Sequence, residues 1–238
     1  MLRTAIWFIY FWLYMLAVAP LSFWLSRKTE TEQHRFSAKE ARLWAKRLLN
    51  LAGAKVVVKG EVNLPIQTPV LFVSNHQGAF DIPLLMANLD RPFGFIAKEE
   101  LSKLPFVNQW MRYLRCVFIK RGNPREAIKA INDGIALLKS GHSLMVFPEG
   151  TRSKDGQLLE FKAGSLKLAT KSGVAVVPIT IDGSRHLMKA DKWIIQPASV
   201  TITLHPAIPA DSVASMDTQT LCDQIEASIG SLLTKTLN

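Results

Sequence analysis

Cys116 and Cys222 are the only cysteines in 238 residues, and they form no Cys-x-x-Cys pair. That scarcity argues against a disulfide framework and makes a reducing compartment the default. Cys116 lies in an apolar run and reads as a buried thiol rather than a metal ligand. Also missing are a cysteine/histidine cluster at zinc spacing, an aspartate-rich calcium loop, a P-loop and an RNP sequence. No metal and no bound cofactor are therefore expected. Acidic residues are outnumbered, 19 against 29 basic ones, for a formal net charge of +10. The imbalance suits an anionic partner: nucleic acid, an anionic membrane or a phosphorylated substrate. A merely solvated basic surface gives the same sum. No internal repeat, low-complexity stretch or interdomain linker is visible.

Hydrophobic residues are plentiful, at 48% of the chain, enough for one sizeable core and one main domain. Residues 4–26 carry no charge, with Arg3 before them and Arg27 and Lys28 after. As a helix this stretch reaches roughly 35 Å, enough to cross the hydrocarbon of a bilayer. Trp7, Tyr10, Trp12, Tyr14 and Trp24 suit a membrane interface. Pro20 is expected to kink or end the helix. A cleaved signal peptide fits poorly, since the small residues Ala17 and Ala19 are followed by Pro20. A transmembrane span and a partly immersed anchor both remain, with orientation unresolved because both flanks are basic. Residues 38–52 then read as a helix, with Ser37 and Glu40 as a capping box. Its stripe of Ala41, Trp44, Ala45, Leu48, Leu49 and Ala52 fits a basic helix lying on lipid, and equally a helix packing on the core. Residues 1–52 are thus expected to form a membrane-associated helical hairpin, and residues 53–238 the main domain. The apolar amino terminus points to lipid rather than nucleic acid.

Beyond Gly53 the pattern alternates. Strands are expected at 55–59, 70–74, 93–97, 116–120, 143–147, 174–181 and 199–204. Several are apolar throughout, as strands buried on both faces are. Helices are expected at 82–88, 105–114, 124–139 and 164–172, with a closing helix at 217–236. The alternation implies an α/β fold with a mixed, largely parallel sheet flanked by helices.

At the end of the second strand stands Ser74-Asn75-His76-Gln77-Gly78-Ala79-Phe80-Asp81. His76 emerges where open α/β sheets place their sites. Asp81, five residues on, can fold back to one ring nitrogen, fix the tautomer and stabilise the imidazolium. The other nitrogen is then free to take a proton from an alcohol. The spacing alone is weak, because His186 and Asp191 repeat it after the loop Asp182-Gly183-Ser184-Arg185. That second pair reads as surface loop.

Another apolar strand, 143–147, runs into Pro148-Glu149-Gly150-Thr151-Arg152-Ser153. Gly150 permits a tight turn with positive φ, whose amides can face an anion. Arg152 can clamp a phosphate with two parallel hydrogen bonds. Glu149, with the wrong charge to meet a phosphate, is better suited to hold the loop or orient Arg152. Lys98 and Arg121 also follow strands, although Glu99 and Glu100 offer Lys98 local partners. Strand ends on one sheet edge converge, so a base beside several cations fits a phosphorylated alcohol.

Asn75-His76 with Asp81, Phe118-Ile119-Lys120-Arg121, Phe147-Pro148-Glu149-Gly150-Thr151-Arg152-Ser153 and Val176-Val177-Pro178-Ile179 occur in that order. They resemble the four motif blocks of the 1-acylglycerol-3-phosphate acyltransferases, within the wider glycerolipid acyltransferase family. Glu160-Phe161-Lys162-Ala163-Gly164 is similar to the family's segment between its third and fourth blocks. The resemblance implies His76 as general base supported by Asp81. It implies glycerol-phosphate binding by Arg121, Arg152 and the turn of Glu149, Gly150 and Thr151, with Lys98 at a further basic position. Pro178 is implied on the acyl-donor or acyl-chain side. Lys120 departs from the pattern, since that position is often acidic, and the change bears on head-group preference. The implied reaction moves an acyl chain from acyl-CoA or acyl carrier protein to the sn-2 hydroxyl of lysophosphatidic acid. Another lysolipid or glycerol 3-phosphate is the rival acceptor, and a non-catalytic lipid-binding protein the rival of another class. The family's habits imply the cytoplasmic face of a bacterial inner membrane.

Overall fold

The computed structural model describes residues 1–66, 69–120, 122–153, 155–188 and 193–233. Two long helices come first, α1 (Leu2–Leu25) and α2 (Glu30–Ala52). Pro20 does not end α1, which runs on to Leu25. Contacts on both sides of it hold the helix on its course: Val18 is buried, and the Tyr113 hydroxyl donates to the Ser22 carbonyl at 2.8 Å. Helix α2 starts at Glu30, not at residue 38. Its capping box is Thr29 with Glu32, the same Thr-x-x-Glu chemistry at an earlier break in the chain. Ser37 lies inside the helix with its hydroxyl on the His34 carbonyl, and Glu40 accepts the Tyr14 hydroxyl. Gly53, at φ 77°, ends the helix in the left-handed region.

Seven strands follow: β1 (Ala54–Lys59), β2 (Val70–Ser74), β3 (Phe93–Lys98), β4 (Val117–Ile119), β5 (Ser143–Val146), β6 (Ala175–Asp182) and β7 (Ala198–Leu204). They form one sheet in the order β1-β7-β6-β2-β5-β3-β4. Strands β2 to β6 are parallel to one another, and β7 turns back antiparallel beside β6 and pairs in parallel with β1. The mixed, largely parallel sheet is the expected one. The helices between and after the strands are α3 (Asp81–Asn88), α4 (Val107–Tyr113), α5 (Pro124–Lys139), α6 (Lys167–Ser172), α7 (Ala210–Ser215) and α8 (Thr218–Gly230). Helix α7 is too short to show periodicity and was not expected. The closing helix stops at Gly230; residues 234–236 of the expected span lie outside the described residues.

The sheet divides the core in two. Val70, Phe72, Val177, Ile179 and Ile181 face one side, packed with Trp7, Leu48, Leu49 and Leu84 from α1, α2 and α3. Leu71, Val73, Leu144 and Val176 face the other, packed with Leu138, Leu168, Leu221 and Ile225 from α5, α6 and α8. Burial on both faces explains the unbroken apolar runs of β2 and β5. The parallel pairing places the carboxyl ends of β2, β3, β4, β5 and β6 at one edge.

Candidate active site

That edge brings the loop after β2 against the loops after β5 and β6. The Asn75 side chain both donates to the Ile181 carbonyl and accepts from the Ile181 N–H, each at 2.8 Å, so an amide bridges β2 to the end of β6. The His76 main chain is held at both ends by the loop after β5. Its N–H donates to Glu149 Oε1 at 2.6 Å, and its carbonyl accepts from the Ser153 N–H at 2.8 Å. The Phe147 ring stacks on the imidazole, centroids 4.2 Å apart.

Asp81 opens α3 and is fully buried. Its Oδ2 accepts from His76 Nδ1 at 2.7 Å, the Gln77 N–H at 2.7 Å and the Gly78 N–H at 2.9 Å. Its Oδ1 accepts the Ser184 hydroxyl. A carboxylate so surrounded by donors accepts only, so Nδ1 of His76 carries the hydrogen and Nε2 the lone pair. The His76 side chain is 17% exposed, against 0% for Asp81, so the arrangement is closed on the acid and open on the base.

Gly150 has φ 71°, the positive value that the turn after β5 requires. A Cβ there would also stand 3.2 Å from Lys162 Nζ. The Lys162 N–H donates to the Pro148 carbonyl, so this exposed lysine is tied to the turn by its main chain. Glu149 accepts the His76 N–H and, at 3.2 Å, the Leu159 N–H. Burial pushes its carboxyl up to about 7, the neighbouring charges of Asp81 and Glu226 act in the same direction, and the two N–H donors pull it down. Its contacts are those of a residue that ties loops together. Thr151 and Arg152 are exposed, and among the described residues Arg152 has no hydrogen-bond or ion-pair partner. Lys98 ends β3, exposed and unpaired with Glu99 or Glu100. Arg121 lies outside the described residues.

The loop after β6 is not the surface feature expected. Ser184 is buried against Asp81, and the Gly183 N–H donates to Gln77 Oε1 at 3.1 Å. Its serine and glycine carried no distinctive local signal; only the topology brings them to β2. His186 is exposed as expected, and Asp191 lies outside the described residues.

An apolar cavity of about 190 Å³ opens beside this edge, between α1, α2, α3, β3 and α4. Phe11, Met15, Trp44, Met86 and Trp110 line it, and Ile82, which follows Asp81, is on its wall. Cys116 also faces it, a free thiol that burial pushes up to about 12.

Comparison with known proteins adds an independent line. The family model described as Acyltransferase matches residues 55–182. A chloroplastic 1-acyl-sn-glycerol-3-phosphate acyltransferase of Arabidopsis thaliana is 36% identical over 82% of this chain and 53% of its own. A 1-acyl-sn-glycerol-3-phosphate acyltransferase of Borreliella burgdorferi is 31% identical over 75% of this chain and 72% of its own. The crystal structure of the 1-acyl-sn-glycerophosphate acyltransferase of Thermotoga maritima superposes with a TM-score of 0.85 at 33% identity, covering 97% of this chain and 92% of that one. The chain spans about half the length of the plant and algal relatives it matches.

Proposed function

The chain belongs to the acyltransferase family, and on that premise we propose that it acylates the sn-2 hydroxyl of lysophosphatidic acid, giving phosphatidic acid. The donor is a thioester, acyl-CoA or acyl carrier protein. The observation that carries the reading is the Nδ1–H of His76 on a buried, acceptor-only Asp81, which leaves Nε2 as a base at the open side of the site. Nε2 takes the hydroxyl proton as the oxygen attacks the thioester carbonyl. The tetrahedral adduct then expels the thiolate, which receives that proton back from the imidazolium held by Asp81. No covalent enzyme intermediate is involved.

Arg152, Arg121, Lys98 and the amides of the Gly150 turn receive the phosphate of the acceptor, the charge-assisted pairing a guanidinium makes best. The apolar cavity reached past Ile82 takes acyl chain.

The protein works at a membrane, at the cytoplasmic face. Helix α1 is long and apolar enough to cross one, and few of its residues are buried against the rest of the chain. Yet it is fastened to the domain near both ends. Thr4 accepts the Ile195 N–H and the Ser22 carbonyl takes the Tyr113 hydroxyl, while Trp7 Nε1 ties α1 to α2 by donating to the Leu48 carbonyl. Those contacts favour a helix lying in one leaflet beside the domain over one standing across the bilayer.

Purified protein with lysophosphatidic acid and each labelled thioester tests the reading. His76→Ala is expected to lose roughly a hundredfold to ten-thousandfold in rate. Wild-type turnover in that variant, or no phosphatidic acid from the wild type with either donor, contradicts it.

A further inference from the structure

Four cations gather at a recess of about 270 Å³ between α2 and the loop from α3 to β3. Arg35, Lys39 and Arg42 stand on one face of α2, and Arg91 lines the recess from the loop. Among the described residues that line it, Asp90 is the one acid, which leaves an excess of three positive charges. Asp90 takes Arg42 and is otherwise 85% exposed. Glu40, next to Lys39 in the chain, serves the apolar cavity instead, where it accepts the Tyr14 hydroxyl. Arg35 and Lys39 have no hydrogen-bond or ion-pair partner among the described residues. Like charges four residues apart repel on a helix, so the arrangement calls for an anion from outside the chain.

The recess is not the catalytic site. Arg91 and Phe93 lie at the amino end of β3, whereas Lys98 ends that strand at the edge that carries His76. The strand sets the two apart by roughly 17 Å. The apolar walls of the recess decide what kind of anion fits. Ala41, Met86 and Leu114 line it and also line the apolar cavity of about 190 Å³, so the two stand back to back. Ala38, Leu89 and Phe93 add to the apolar side. A hydrated free anion gains nothing from such walls, whereas a phosphate ester that bears acyl chains gains from the cations and the walls together. The recess also lies in the layer of α1 and α2, the layer that carries the membrane-length helix.

We propose that this recess is a second phosphate-binding site, for the headgroup of an anionic phospholipid that is not being acylated. The guanidinium and ammonium groups take the phosphate. Met86, whose flexible thioether adapts to irregular neighbours, and Leu114 take the start of an acyl chain. The choice of a lipid rests on the reading that α1 engages a membrane. Binding of single lipid molecules is measured without a bilayer and without turnover, so the recess and the membrane reading fail separately.

The full chain carrying Arg152→Ala, which weakens the acceptor's phosphate site, is titrated calorimetrically in a nonionic detergent against detergent blanks. The probes are dihexanoylphosphatidylglycerol, dihexanoylphosphatidylcholine and inorganic phosphate. Saturable binding of the phosphatidylglycerol is expected, with the other two roughly tenfold weaker or more. Adding Arg35→Gln and Lys39→Gln is expected to weaken that binding roughly tenfold or more. Lys55→Gln with Lys59→Gln removes the same charge from exposed positions on the edge strand β1 and is expected to change little. Ala38→Phe keeps every charge, fills the recess and is expected to abolish the binding, with a thermal melt showing that each variant is folded. No saturable binding of phosphatidylglycerol, or binding of phosphatidylcholine or inorganic phosphate as tight, overturns the anionic-lipid assignment. Equal losses from the two glutamine pairs, or undiminished binding by folded Ala38→Phe, overturns the recess as the site.

Discussion

Ser184 donates its hydroxyl hydrogen to the oxygen of Asp81 that His76 leaves free. The loop after β6 therefore fixes the carboxylate from one side while the imidazole and two main-chain N–H groups fix it from the other. In this arrangement Ser184 sets the rotation of Asp81, and Asp81 sets the tautomer of His76.

Removing that hydroxyl leaves a buried carboxylate oxygen without its donor. Ser184→Ala is expected to cost about 1–3 kcal/mol of stability. It is also expected to lower kcat, roughly fivefold to thirtyfold for an effect of about 1–2 kcal/mol on the transition state. KM for the acceptor stays near its wild-type value, because Ser184 does not face solvent. Steady-state kinetics with a thermal melt check this, and a wild-type kcat sinks the positioning role.

Arg152 and Lys162 separate binding from proton transfer. Arg152 has no partner among the described residues, and Lys162 lies over the Gly150 turn. Each is a cation available to a phosphate at a turn adjoining His76. Arg152→Ala is expected to raise KM for lysophosphatidic acid roughly tenfold to a hundredfold, the worth of a charge-assisted hydrogen bond. Lys162→Ala is expected to do the same to a smaller degree. With monoacylglycerol, which lacks the phosphate, neither change matters much. Equal losses on both acceptors would remove the phosphate role.

Much of this was legible in the sequence. Continuous apolar runs at 70–74 and 143–147 marked strands buried on both faces, and the polar turns after them marked the sheet edge that carries His76 and Arg152. What stayed hidden depends on partners distant in the chain. Ser37-x-x-Glu40 and Thr29-x-x-Glu32 are equal as local capping signals, and only the packing of α2 along its whole length selects the earlier one. Pro20 breaks a helix in isolation but not one fastened on both sides of it. Ser184 had no local signature at all, since its partner lies 103 residues away. The spacing shared by His76/Asp81 and His186/Asp191 shows the same limit, for only the first pair follows the central strand of the sheet.

Glu149 gives the fold a pH dependence of definite sign. Burial is the main cause that lifts its carboxyl from the ordinary 4.5 to about 7. Between those values the folded chain binds more protons at this residue than the unfolded chain does. The stability it contributes is therefore fully present below about pH 4.5 and is lost as pH rises through about 7. The shift corresponds to on the order of 3 kcal/mol. Glu149→Gln cannot titrate; its amide oxygen still accepts the His76 N–H, while its amino group faces the Leu159 N–H and loses that bond. Chemical denaturation at pH 5, 6, 7 and 8 is expected to show wild-type stability falling relative to the variant as pH rises. Curves that stay parallel across that range would mean that Glu149 is already ionised at pH 5 and that its two N–H donors, not burial, dominate its charge state.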